Sequence, residues 1–173
     1  MKYTIIIFAE NKPGVLYRIA DLFLRRKINI DSLTVSETEQ HGISRFTVVV
    51  SRELELIKKV VKQLYRIIEV VKVLEKREEE LIFREIALIK VVVKNATERK
   101  KIEDITHLSN ATVNAFGEDY VVIEKSGTED EITRLYGMVK PFGIKEFVRS
   151  GRIAVLKEGL DRHSGKPKAH PES

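Results

Sequence analysis

Apolar signals along this chain fall in the order strand, helix, strand, strand, helix, strand, and that order then repeats. The first run, Tyr3-Thr-Ile-Ile-Ile-Phe-Ala9, is rich in the β-branched residues that suit a strand. Val15, Leu16, Ile19, Leu22 and Phe23 then recur at helical spacing. Pro13 suits the first turn of that helix, where its missing N–H is no loss. Arg25, Arg26 and Lys27 suit the negative end of the helix dipole. Ile28 to Glu37 reads as a second strand with Ile28, Ile30, Leu33 and Val35 turned inward. Residues 39–42 form a turn, and Ile43 to Val50 a third strand. Leu54, Ile57, Val61, Leu64 and Ile68 step by three and four, as an amphipathic helix does. Ile67 to Leu74 closes the set as a strand.

After the charged run Glu75-Lys-Arg-Glu-Glu-Glu80 the pattern starts again. Phe83 to Val93 is a strand, and Glu98 to Leu108 a helix with Ile102 and Ile105 inside. Ala111 to Phe116 and Tyr120 to Lys125 pair as a hairpin across Gly117 to Asp119. Thr128, with Glu131 three residues on, is a capping box for a helix through Ile132, Leu135 and Val139. Ile144 to Leu156 supplies the last strand, with a break at Gly151. The expected fold is therefore α+β: two ferredoxin-like βαββαβ units, each an antiparallel sheet with helices on one face. The boundaries read as 1–76 for the first domain, 77–80 for a linker and 81–158 for the second domain. The tail 159–173 is polar, carries two prolines and is expected to be disordered.

Composition narrows the function classes. Hydrophobic residues make up 43% of the 173, enough for a real core. Lys+Arg number 31 against 26 Asp+Glu, a mixed surface rather than the basic stripe of a nucleic-acid binder. With no cysteine there is no disulfide or thiolate chemistry. The four histidines are scattered without metal-ligand spacing, so neither a bound metal nor a cofactor is expected in this chain. The apolar run at the start is too short for a membrane span, and the expected location is the cytoplasm. No side-chain constellation suggests catalysis. Each unit is small, and two helices cover only one face of its sheet, so pairing with another copy is expected.

One segment stands apart. Glu10-Asn-Lys-Pro-Gly14 leads from the first strand into the first helix without a nucleophile, a metal ligand or a phosphate-loop lysine. A helix N-terminus offers unpaired N–H groups and a positive dipole end to an anion. Gly14 allows close approach to the backbone, and Asn11 carries both a donor and an acceptor. Val15, Leu16 and Ile30 would favour a small apolar side chain. These groups suit a free amino acid. The plainer reading is that Pro13-Gly14 simply starts a helix.

At these residues the chain resembles the acetolactate synthase (acetohydroxyacid synthase) small regulatory subunits, whose N-terminal half is an ACT domain. The resemblance rests on Glu10, Asn11, Gly14, Leu16, Arg18, Leu22, Phe23, Arg26, Asn29, Ile30, Ser32 to Val35, Ser44, Arg45 and Thr47. In the second half it continues through Arg84 to Val91, Ser126 to Ile132 and Arg149 to Gly159. The family often has Gly where Lys27 stands. A Cβ there makes a left-handed helix cap costlier and leaves room for a different helix end. The resemblance implies a non-catalytic regulatory subunit of a transferase complex. Such a subunit binds and activates the catalytic large subunit, which carries thiamine diphosphate, FAD and Mg2+. It confers allosteric feedback inhibition by a branched-chain amino acid, usually valine, in valine, leucine and isoleucine biosynthesis. It also implies a homodimer through the ACT domains, with the effector at their interface. Asn11, Gly14 and Val15 of one protomer would hold the effector, and Asn29 and Ile30 of the other would complete the pocket. A stand-alone ACT-domain sensor and a ligand-free assembly module are the alternatives.

Overall fold

The computed structural model describes residues 1–158, so the tail read at 159–173 lies outside the described residues. The chain divides into two compact units, Met1–Ile82 with residues 152–158, and Phe83–Gly151. In the first unit, strands β1 (Lys2–Glu10), β2 (Ser32–Glu37), β3 (Ile43–Ser51) and β4 (Val70–Arg77) form a sheet in the order β2-β3-β1-β4. All its pairings are antiparallel. Helices α1 (Val15–Arg25) and α2 (Leu54–Leu64) complete it. In the second unit β5 (Leu81–Val92), α3 (Ala96–Leu108), β6 (Thr112–Phe116), β7 (Tyr120–Gly127), α4 (Glu129–Val139) and β8 (Ile144–Arg149) repeat the plan. Its sheet order is β6-β7-β5-β8, again antiparallel. These are the two ferredoxin-like units that the periodicity predicts.

Alternation along the strands builds each core. Tyr3, Ile5, Ile7 and Ala9 of β1 meet Phe46, Val48 and Val50 of β3 and the buried stripe of the helices, Val15, Ile19, Phe23, Ile57, Val60 and Leu64. Burying each large side chain contributes roughly 1.5–3 kcal/mol. The second core is Ile89 and Val91, Val121 and Ile123, and Ile102, Leu135 and Val139 from the helices. Thr128 and Glu131 form the expected capping box on α4.

Several local readings change. Leu33 and Val35 lie on the helix side, paired with Val48 and Phe46, yet are 36% and 40% exposed. They sit on an edge strand, beyond the cover of the helices. Ile68 is exposed because α2 ends at Leu64, and Val60 takes the core position instead. Pro13 falls in the turn before α1 rather than in its first helical turn. The linker read at 77–80 is ordered. β4 runs to Arg77, residues Glu78–Glu80 make one 3-10 turn, and the Glu80 carboxylate accepts the Arg77 N–H at 2.9 Å. Lys27 does adopt the left-handed conformation, at φ 52. Ile28 N–H reaches the Phe23 carbonyl (3.0 Å) and Lys27 N–H reaches that of Leu24 (2.9 Å), the double bond of a Schellman ending. The buried Ile28 and Phe23 supply its apolar contact, so the ending forms despite the Cβ.

The last strand divides. β8 ends at Arg149, and β9 (Ile153–Leu156) pairs with β5, while the division into units groups 152–158 with Met1–Ile82. Peptide groups at 152–157 need partners; pairing with β5 supplies some of them, and residues of the first unit supply others. Ser32 Oγ accepts the Arg152 N–H (2.9 Å), and Thr34 Oγ1 donates to the Arg152 carbonyl (2.8 Å). The Arg45 guanidinium donates to the Ala154 carbonyl. Lys157 N–H donates to the Glu80 carbonyl (3.0 Å). Among the described residues no helix is long and apolar enough to cross a membrane.

Candidate functional site

The entrance to α1 is held from two sides. Glu10 N–H donates to the Glu69 carbonyl beside β4 (2.9 Å), and Asn11 N–H donates to the Gly42 carbonyl in the β2–β3 turn (2.7 Å). Lys12 N–H folds back onto the Glu10 carbonyl (2.9 Å). Gly14 then takes φ +85, in the left-handed region where an L side chain costs about 1–2 kcal/mol. Space is not the constraint: an added Cβ would meet only the Arg18 guanidinium, at 3.7 Å.

The carbonyl of Gly14 accepts the Arg18 N–H at 3.0 Å, which starts the helix. Val15 N–H is spent on the Lys12 carbonyl at 3.3 Å, and the Val15 side chain is buried in the core. The Val15 N–H expected to hold a ligand is thus already engaged, and the groups left open are the N–H of Gly14, Leu16 and Tyr17. Among the described residues these three have no hydrogen-bond partner, and no side chain caps the helix. α1 also carries no acidic residue in its first turn. The other three helices each have a first-turn carboxylate: Glu55 in α2, Glu98 in α3, and Glu129, Asp130 and Glu131 in α4. The positive end of α1 is therefore the least compensated of the four.

Side chains around the entrance are polar or half-exposed. Asn11 is exposed, and its amide has no partner among the described residues. Leu16 is 45% exposed and can meet an apolar group. Arg18, which has no part in the site expected from the sequence, bonds Glu69 at 2.6 Å. Lys12 pairs with Glu10 at 2.5 Å, and that hydrogen bond holds the Lys12 ammonium above its ordinary pKa. The spacing of Arg18 one helical turn from Gly14 was the signal that could have brought it in.

Asn29 and Ile30 lie elsewhere. They occupy the loop after α1, tied down by Asp31 N–H to the Val49 carbonyl (2.8 Å) and by Ser51 Oγ to the Asp31 carboxylate (2.6 Å). Asn29 is exposed, and Ile30 packs on the edge of the core. The length of α1, roughly 16 Å for its 11 residues, separates this loop from Gly14. Within one chain the structure brings Asn11 and Gly14 together and leaves Asn29 and Ile30 at the other end of the helix.

The doubled ferredoxin-like plan defines a class, the two-unit α+β proteins. Comparison with known proteins agrees. Residues 5–72 match the family model described as AHAS small subunit-like ACT domain, and residues 84–158 match the one described as small subunit of acetolactate synthase. The chain is 40% identical over 157 residues to a probable acetolactate synthase small subunit of Archaeoglobus fulgidus, covering 91% of this chain and 98% of that one. It is 40% identical over 155 residues to the acetolactate synthase small subunit of Mycolicibacterium smegmatis, covering 90% and 91%. The crystal structure of the small subunit from Thermotoga maritima superposes with a TM-score of 0.85 at 28% identity, over 92% of this chain and 99% of that one. The chain belongs to the acetolactate synthase small-subunit family.

Proposed function

We propose that this chain is a regulatory subunit that binds a branched-chain amino acid, valine first, at the α1 entrance and controls an acetolactate synthase catalytic subunit. The observation that carries the reading is the uncompensated start of α1. It offers the N–H groups of Gly14, Leu16 and Tyr17 beside the free Asn11 amide. Such an end suits a carboxylate, the Asn11 oxygen suits an ammonium, and Leu16 suits a short apolar side chain. None of these groups is a nucleophile or an acid–base pair, so the chain acts on its partner rather than on the ligand. Thiamine diphosphate, FAD and Mg2+ belong to that partner.

The effector site spans two copies. Asn29 and Ile30 complete it from the second protomer, since α1 keeps them away from Gly14 in the same chain. The edge strand β2 with exposed Leu33 and Val35, and exposed Leu16 and Tyr17 on α1, supply the apolar surface for side-by-side pairing. An effector bridging two protomers stabilises one dimer geometry, and the catalytic subunit responds to that geometry.

The test is reconstitution with an acetolactate synthase catalytic subunit, followed by acetolactate formation with and without valine. The expected result is activation by the chain and reversal of that activation by valine. Valine binding without any effect on the catalytic subunit would leave a stand-alone sensor. Neither binding nor activation would leave an assembly module.

A further inference from the structure

We propose that the uncovered face of the second unit's sheet is a further contact between copies of this chain, separate from the pairing along β2. Two observations carry it. The first is an apolar patch on that face. Alternate residues of β5 and β7 turn toward the helices, and Ala87, Ile89, Val91, Val121 and Ile123 are fully buried. The residues between them turn away. Ile86 and Leu88 of β5 are 44% and 40% exposed, and Val148 of β8 is 51% exposed. Leu88 stands directly opposite Val148, so the two side chains share one face. β9 also pairs with β5, which extends a sheet in its plane without covering a face. The first unit treats its corresponding face differently. Ile6 and Val49 there are 0% and 2% exposed, and Ser32, Thr34 and Arg45 on that face hold the backbone of Arg152 and Ala154.

The second observation is the charge around the patch. On β5, Lys90 stands opposite Glu146 of β8, and Leu88 stands opposite Glu124 of β7. Arg84 lies further along the same face of β5 and is exposed. Cations therefore run along the central strand and anions along its neighbours. Two of these charges are held in place: the Asn114 amide donates to Glu124 at 2.6 Å, and the Lys90 ammonium rests 4.2 Å from the Tyr120 ring centre. A partner of one sign would be repelled by half of this array. A second copy brings both signs, and a two-fold contact sets Lys90 of each copy against Glu124 or Glu146 of the other. Four strands about 4.8 Å apart, over the eight residues of β7 at about 3.3 Å each, present roughly 500 Å2. Two copies thus bury the roughly 1,000 Å2 that a specific contact needs. The polar tail 159–173 carries one large apolar residue, Leu160, and is no match for this patch.

The chain has no cysteine, so a single introduced thiol reports on a single place. The experiment is mild oxidation of the full chain carrying Leu88→Cys or Val148→Cys, with Leu108→Cys as the control. Leu108 ends α3 and is 85% exposed. Disulfide-linked dimers should form faster at position 88 or 148 than at 108, because only a docked face holds two thiols within bonding distance. No faster linking at either position would overturn the contact. In sedimentation, a folded Leu88→Asp/Val148→Asp double variant of the full chain should self-associate at least about tenfold more weakly than wild type. Unchanged association would overturn the contact as well. Val35→Cys reports the pairing along β2 in the same assay. Linking at 35 with none at 88 or 148 would keep that pairing and overturn the further contact. The reverse pattern would support the further contact and count against the pairing.

Discussion

The two units share one topology, yet their first helices begin in opposite ways. α3 closes its own entrance: Asn95 Oδ1 accepts the Glu98 N–H (2.9 Å), and the Glu98 carboxylate accepts the Lys94 N–H (3.0 Å). α1 begins at Gly14 with no cap and no carboxylate. A side-chain cap is worth about 1 kcal/mol, so the open end of α1 forgoes stability that its counterpart keeps. The C-terminal ends do not diverge. Both helices finish with the same pair of bonds, Ile28 to Phe23 and Lys27 to Leu24 in one, Ala111 to Thr106 and Asn110 to His107 in the other. Each ending has one residue in the left-handed region, Lys27 at φ 52 and Asn110 at φ 49. The units keep what both need to fold and differ at the end where an anion would bind. That difference is the physical argument for one effector site per chain rather than two.

The comparison can be broken most severely at Gly14. Gly14→Asp places a carboxylate where the ligand carboxylate would sit, and valine affinity should fall by about 100-fold or more. Gly14→Asn imposes the same backbone strain without the charge and should bind at least about tenfold more tightly than the Asp variant. Calorimetry on both folded proteins separates charge from strain; equal affinities would contradict the site. Removing the cap of the other entrance should do the reverse. Asn95→Ala should lower unfolding free energy by about 1 kcal/mol in denaturant melts and leave valine affinity unchanged.

The shared helix ending gives a smaller test. Lys27→Gly should raise stability by about 0.5–1 kcal/mol, because Gly takes the left-handed conformation without a Cβ penalty. Asn110→Gly should gain less, since Asn tolerates that conformation. Equal gains would contradict this and show that Asn110 is as strained in that conformation as Lys27. The smallest effect is at the cap of α4. The Glu131 carboxylate accepts the Thr128 N–H at 2.7 Å, which holds it below its ordinary pKa of 4.5. A depressed folded pKa contributes stability that is complete above 4.5 and lost as pH falls through the lower folded value. Glu131→Gln should flatten that part of the acid limb in a stability–pH profile.

Much of this was legible in the sequence. Period-two and period-3.6 apolar patterns gave both units, and Thr128 with Glu131 gave a cap that the structure shows atom for atom. Asn11 and Gly14 were legible because a glycine at a helix entrance without caps is a local signal. What could not be read is long-range. Leu33 and Val35 look like core residues in alternation, and only the sheet order makes β2 an edge. Val60, not Ile68, fills the α2 stripe because the chain leaves the helix at Leu64. The Arg152 backbone is met by hydroxyls at Ser32 and Thr34, 120 and 118 residues away. Nothing local in Gly151-Arg152 points to them. That Val15 spends its N–H on Lys12 follows from the turn geometry at Pro13-Gly14, which spacing alone does not set.

The most direct test of a site shared between two copies is a valine titration of mixed chains. Gly14→Asp and Asn29→Ala chains are titrated separately, then after mixing in equal amounts and allowing subunits to exchange. Each alone should bind at least about tenfold more weakly than wild type. In a two-fold dimer the mixture restores one intact site in each mixed pair, so about a quarter of the wild-type sites should return at wild-type affinity. No recovery after demonstrated exchange would contradict a site built from both ends of α1 on neighbouring chains.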